Sequence, residues 1–274
     1  METKLNAGFV AEVRRGWDGQ GWRVLDGAVS ASRLDSLREA LGTCELPEKG
    51  DLPGLLNRDP RFLDLVDLPS ILHPVVALMG GAIHVVTSAV TTVPSGATPM
   101  VWHEDGPRPW SYPAVDGKRP LMLLRAGIAL EDNLEADEGN LVVVTGSHRE
   151  PFPEKVDSDA LWADPRTEQV RMRAGDVVLF HNGLWHTTAH HRGGSPRRML
   201  YLVYAPLWHR SLDYSAPSPE LLASIEGFPE ERRPLLKQLV GHTPEAGPIA
   251  HMFPEESDTP GLALTRPRRP ASGA

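Results

Sequence analysis

A chain of 274 residues can bury a full hydrophobic core and fits one large domain. Its 41% hydrophobic and 23% charged residues exclude a disordered, fibrous or membrane class, and a formal charge of -8 leaves no basic footprint for nucleic acid. A single cysteine, Cys44, excludes an internal disulfide and a thiolate-rich metal site, which suits a reducing cytoplasm.

Residues 1–17 carry Glu2, Lys4, Glu12, Arg14 and Arg15 and no apolar stretch of the kind a signal peptide needs, so secretion is not expected. Gly21-Trp-Arg-Val-Leu-Asp-Gly27 predicts a short strand closed by glycines. Ser32-Arg-Leu-Asp35 predicts a helix start, with Ser32 as cap, Asp35 as its acidic partner and Leu34, Leu37 and Leu41 on the apolar face. Gly42 stands where a left-handed residue would end that helix. Residues 43–58 read as a loop, and residues 62–79 carry helical spacing, with Pro69 opening a second helix and Gly80-Gly81 stopping it. The most apolar stretch, residues 68–86, is broken by Pro69, Pro74, Gly80 and Gly81 and is no membrane span.

The character then changes. Residues 83–93, 100–104, 121–131, 140–145, 169–173, 176–181 and 198–204 are strand-length and rich in Val, Leu, Ile or Thr. Glu138-Gly-Asn140, Ala174-Gly-Asp176 and Gly193-Gly-Ser195 are turn signals between them, so a sandwich or jelly roll is expected rather than a parallel α/β sheet. Residues 218–225 and 230–240 predict short helices. The expected layout is a single domain: a helical part over 1–80, a β core over 81–206, a helical part over 207–258 and a flexible tail over 259–274.

His103-Glu-Asp105 ends a strand-like segment, where residues i and i+2 share a face, so an imidazole and a carboxylate converge. The triplet alone is a weak signal. A two-His, one-carboxylate triad leaves three adjacent iron positions open, enough for a bidentate 2-oxo acid and O2, and it requires a third ligand. His186 lies 83 residues on (186 minus 103), past an apolar strand and a tight turn, and a jelly roll can return it to the first pair. Arg197 stands across the Gly193-Gly194 turn, where its guanidinium can grip a carboxylate in two parallel hydrogen bonds, and Thr188 can add a hydroxyl donor. That set suits a 2-oxo dicarboxylate with one end on iron and the other on Arg197.

The sequence resembles the phytanoyl-CoA dioxygenase family over most of its length. The matching stretches are Gly21 to Gly27 with its helix, Trp102-His-Glu-Asp-Gly106, Glu138-Gly-Asn-Leu-Val-Val-Val-Thr-Gly-Ser-His148, Ala174-Gly-Asp-Val-Val-Leu-Phe-His181, and Leu184-Trp-His186 through Arg197-Arg198. The resemblance implies a mainly β fold with flanking helices, the double-stranded β-helix (jelly roll, cupin-like). It implies Fe(II) on His103, Asp105 and His186, 2-oxoglutarate on Arg197 and Thr188, and O2 as oxidant. Glu104 replaces a frequent Gln between the first two ligands, and strand alternation points it away from the metal, so a modest effect is expected. His191 stands where the family usually has Asn. Related halogenases lack the metal carboxylate, so Asp105 favours hydroxylation or desaturation over chlorination.

His181, His190 and His191 crowd the distal ligand and either compete for its role or form an unrelated metal site, but the family pattern and the Arg197 spacing select His186; His181 reads as a strand histidine and His148 as a turn residue. Arg125 interrupts an apolar run, which is costly without an anion. It either faces the cavity and meets a cosubstrate or substrate carboxylate, or pairs with Glu131 on its own strand. Arg108, Lys118 and Arg119, with Trp110 and Tyr112 between, read as solvated loop charge or as a lid for an anion, and Trp185 as core packing or a pocket wall. The expected activity is oxidation of a small anionic or polar metabolite with conversion of 2-oxoglutarate to succinate. Its rivals are a jelly-roll metalloenzyme acting as a Lewis acid and a non-catalytic binding module.

Overall fold

In the computed structural model, which describes residues 7–105, 119–209 and 218–236, the β-branched runs pair into two antiparallel sheets. The strands are β1 (Trp22–Leu25), β2 (Gly50–Pro53), β3 (Ile83–Val93), β4 (Leu124–Ala129), β5 (Leu141–Val144), β6 (Thr167–Gln169), β7 (Val177–His181), β8 (His186–Thr188) and β9 (Arg197–Pro206). A six-stranded sheet runs β1-β7-β4-β9-β3-β2, and a three-stranded sheet runs β6-β5-β8. The fold is mainly β with flanking helices, the cupin-like jelly roll.

Strand alternation divides the large sheet into two chemistries. One face, with Leu124, Ala126, Leu179, Leu200, Leu202 and Tyr204, packs against α3 (Ala31–Gly42) and α4 (Pro69–Met79) in the main core. The other, with Ala129, Val178, Phe180, Met199 and Tyr201, meets Leu141 and Val143 of the small sheet. Arg125 and Arg197 fall on this second face because each lies an even number of residues from its neighbours there. The sheet register places Gly127 opposite Tyr201 and Arg125 opposite Phe180.

Several local expectations need correction. The helix predicted from Ser32 starts at Ala31 with Ser30 as cap residue, and Asp35 pairs with Arg38 along the helix instead of capping it. Gly42 stays helical, and the end is closed by Thr43, whose hydroxyl donates to the Ala40 carbonyl at 2.8 Å. The expected loop over 43–58 contains β2, which edges the large sheet, so the N-terminal part supplies a second strand besides the predicted β1. Residues 100–104 form no regular strand, and β6 lies at 167–169, earlier than the expected 169–173. Pro69 does open α4, and Gly80, at φ 83°, ends it in a conformation that favours glycine.

The Glu-Gly-Asn motif is framework. Asn140 is fully buried, accepts from the Glu138 backbone N–H and donates to the Asn133 and Val170 carbonyls. Among the described residues no helix is long and apolar enough to cross a membrane. Arg108, Lys118, Trp110 and Tyr112, the end of the helix expected over 230–240 and the tail over 259–274 lie outside the described residues.

Candidate active site

Residues 100–105 run antiparallel beside 182–188 and carry His103 and Asp105 to β8. His103 and His186 exchange backbone hydrogen bonds at 3.0 and 2.8 Å, and the Asp105 N–H donates to the Asn182 carbonyl at 2.8 Å. An isolated bridge therefore does what a full strand was expected to do: it holds His103 and Asp105 beside His186. The ligand-type atoms of His103, Asp105 and His186 lie within 4.8 Å of one another.

Both imidazoles are set for ligation. Nδ1 of His103 faces the Val101 carbonyl at 2.9 Å, and Nδ1 of His186 faces the Leu184 carbonyl at 2.8 Å. A carbonyl only accepts, so each Nδ1 carries a proton and Nε2 is the ring atom left for a metal. Burial pushes the His186 pKa down to about 4, against the pull of Asp105, so this ring is neutral at physiological pH. Burial works to raise the pKa of Asp105, but Arg125 above all, then His186 and His103, hold it below the usual carboxylate value. The donor set is thus two imidazoles, each with Nε2 left for a metal, and a carboxylate, which fits Fe(II).

Arg125 reaches the site from β4. Its guanidinium forms an ion pair with Asp105, one bond being Arg125 Nη2 to Oδ1 at 2.7 Å. The alternative partner, Glu131, is taken by Arg198, whose Nε donates to it at 2.8 Å. Arg125 is therefore not paired with Glu131, and the carboxylate it meets is Asp105 of the candidate triad.

Arg197 opens β9 on the same face and is 4% exposed, with its Nε lacking a hydrogen-bond partner. Burial lowers its pKa, and Tyr201 acts against that shift. A buried guanidinium with donors to spare is what the far carboxylate of 2-oxoglutarate requires. Thr188 lies two residues from His186 on β8, but its hydroxyl donates to the Met100 thioether at 3.5 Å. Trp185, one of whose readings was a pocket wall, packs instead with Trp102 and Phe152 in a separate apolar cluster, as its other reading held.

Glu104 is not part of the converging triad, and its surroundings are not neutral. It forms an ion pair with Arg119, both side chains less than a tenth exposed. Glu104→Gln would leave the Arg119 guanidinium buried without a counter-charge, and is expected to cost roughly 2–3 kcal/mol of unfolding free energy. Denaturant titration checks this; an unchanged midpoint would show the pair to be dispensable.

His181 and His148 pack together behind this motif, ring centroids 5.0 Å apart, and Nδ1 of His181 accepts from the Gly183 N–H. Burial, then His148, pushes the His181 pKa down from 6.5 to about 3. The unfolded chain binds this proton below about pH 6.5 while the folded chain resists it to about pH 3. Between these values the unfolded state holds more protons, so stability falls with falling pH by at most about 1.4 kcal/mol per unit. His181→Gln should flatten that slope in thermal unfolding between pH 6.5 and 4, and an identical slope would remove His181 as its source. His191 is likewise structural, its Nε2 lying 2.7 Å from the Ser195 carbonyl.

A jelly roll with two imidazoles and a carboxylate between its sheets defines the class of non-haem iron enzymes built on that fold. The model of the phytanoyl-CoA dioxygenase (PhyH) family matches residues 45–199, more than half of the chain. The chain belongs to this family and is a 2-oxoglutarate-dependent non-haem iron enzyme, with Fe(II), 2-oxoglutarate and O2 as its cofactor and cosubstrates. Among solved structures it is similar to HygX from Streptomyces hygroscopicus with nickel and 2-oxoglutarate bound, at TM-score 0.64 and 18% identity over 80% of this chain and 94% of that one. It is also similar to the epimerase SnoN of nogalamycin biosynthesis, at TM-score 0.58 and 20% identity over 74% and 82% of the two chains. The carbocyclase SnoK of the same biosynthesis aligns at TM-score 0.57 and 22% identity over 72% and 83%. At these identities the likeness concerns the fold.

Proposed function

We propose that the protein hydroxylates a small molecule, with His103, Asp105 and His186 holding Fe(II) and Arg197 anchoring the far carboxylate of 2-oxoglutarate. The observation that carries this is the convergence of the three ligand-type side chains within 4.8 Å, in a jelly roll that also buries an under-satisfied guanidinium. When bound, iron with 2-oxoglutarate and O2 would supply the oxidising power, and 2-oxoglutarate would leave as succinate and CO2. The chain's own share is positional. The Val101 and Leu184 carbonyls fix the imidazole tautomers, Arg125 fixes the carboxylate, and the apolar inner face of the sheets keeps water from the reacting centre.

A small molecule is favoured as substrate because the acidic chain repels polyanions. Structures of HygX with hygromycin B and of SnoN with nogalamycin RO bound lend support by analogy of fold. SnoN and SnoK also attach epimerisation and ring closure to this fold, so product analysis must accompany any turnover assay.

The charge of Arg125 is taken by Asp105, so it no longer argues for an anionic substrate, and its role becomes that of a positioning residue. Arg125→Met should weaken Fe(II) binding by roughly 10–100-fold, the usual cost of losing a group that orients a ligand. Wild-type Fe(II) affinity with lost substrate-coupled succinate formation would return Arg125 to substrate recognition. The function itself is tested by screening small molecules for Fe(II)- and 2-oxoglutarate-dependent succinate release and a product 16 mass units heavier. Succinate release coupled to a product of any other mass would replace hydroxylation in this reading.

A further inference from the structure

The two faces of β7 lead to different places. Phe180 faces the small sheet and meets His186, ring centroids 5.1 Å apart, whereas His181, next along the strand, shares the helix-facing side with Leu179 and Val177. On that helix-facing side lies a cavity of about 280 Å3. His181 and His148 line it together with three arginines: Arg14 at the end of the helix Ala7–Arg14, Arg119, and Arg149. The proposed oxidation uses none of these side chains.

The three guanidiniums differ in what they already hold. Arg119 is the buried one, and Glu104 supplies its counter-charge. Arg14 and Arg149 are exposed. Arg14 spends its Nε on the Ala77 carbonyl at 2.8 Å, and Arg149 makes no side-chain hydrogen bond or ion pair among the described residues. The carboxylate that lines the cavity is Asp18. With Arg119 matched by Glu104 and a second arginine offset by Asp18, one positive charge is left over. The histidines add none, because burial holds both rings below the ordinary imidazole pKa and keeps them neutral at physiological pH. Between the charges the walls are apolar, made by Trp17, Leu78 and Leu121. A Cβ at Gly21, which has a φ of 76°, would collide with the His148 ring, so glycine there lets that ring take its place in the lining.

We infer that this cavity binds a small organic monocarboxylate, at a site separate from that of iron and 2-oxoglutarate. One surplus positive charge matches a monoanion, and the N–H groups that Arg14, Arg119 and Arg149 have to spare are the donors a carboxylate takes in charge-assisted hydrogen bonds. The apolar walls call for an apolar body. Ligand pockets start at roughly 300 Å3, so the volume restricts that body to a single ring or a short chain.

Anaerobic calorimetric titration of the full chain loaded with Fe(II) and 2-oxoglutarate tests this, because the iron cavity is then filled. Benzoate is the probe, and benzamide is its neutral counterpart of the same shape. Benzoate should bind at one site and at least roughly tenfold more tightly than benzamide, since a charge-assisted pair is lost with the charge. Arg149→Gln, which breaks no side-chain bond of the fold, should weaken benzoate roughly threefold, and Arg14→Gln/Arg149→Gln roughly tenfold or more. Arg58→Gln, an exposed arginine beside β2 at the opposite edge of the large sheet from β1, should bind benzoate as the wild type does. Four results would each overturn the inference: no benzoate binding, benzamide binding as tightly, wild-type affinity in the double variant, or an equal loss in Arg58→Gln. Binding seen only when 2-oxoglutarate is left out would do the same, by placing benzoate in the iron cavity.

Discussion

Asp105→Ala and His186→Ala proteins, given Fe(II) and 2-oxoglutarate without O2, should show no visible charge-transfer band, and in air they should form no succinate. Three protein ligands are the minimum that holds Fe(II) on one face while leaving three adjacent positions for the 2-oxo acid and O2. His186 is 6% exposed and contributes a neutral ring, so its removal leaves an imidazole and a carboxylate, too few to retain the metal. Removing Asp105 does this and more, because Arg125 would lose its ion-pair partner and its positive charge would remain at the metal position. Asp105→Ala should therefore be the more damaging to Fe(II) affinity, and Asp105→Asn, which keeps the shape, should still lose the band. Bands of wild-type intensity in both alanine variants would remove these residues from the metal site.

What the sequence made legible follows the reach of its signals. Strands β3, β4, β5, β7 and β9 were readable because each is a run of four or more apolar or β-branched residues, buried on one or both faces. β2 was not, because Gly50-Asp-Leu-Pro53 has no strand signature of its own and is held at the sheet edge by pairing with β3. The His-x-Asp spacing, with His186 beyond it, led to three side chains whose ligand-type atoms lie within 4.8 Å of one another, and Arg197 shares its sheet face with Arg125. The reason assumed for it was only half right: a single bridge to β8 suffices where a strand was expected. The pairing of Arg125 with Asp105 was beyond reach because the two are 20 residues apart on segments whose adjacency exists only once β4 is in register with β7.

Arg197→Ala should raise the 2-oxoglutarate requirement on the order of 10²-fold or more, with Fe(II) binding preserved. The guanidinium is 4% exposed, and no carboxylate is paired with it among the described residues; its bonds there run to the Met199 sulfur and to Tyr201. An arginine buried in that state is costly to the fold, and a bound dicarboxylate offsets the cost by supplying the missing counter-charge. Removing it from the complex deprives a desolvated carboxylate of its partner, worth on the order of 2–5 kcal/mol, which sets the expected loss. The free protein should respond in the opposite sense: relief of an unpaired buried charge should leave Arg197→Ala no less stable, or more stable, apart from the cavity it opens. Arg197→Lys separates charge from geometry, since an ammonium supplies the charge without the two-pronged fork and should recover only part of the affinity. A normal 2-oxoglutarate requirement in Arg197→Ala would sink the anchor, and full recovery by lysine would reduce the contribution of Arg197 to charge alone.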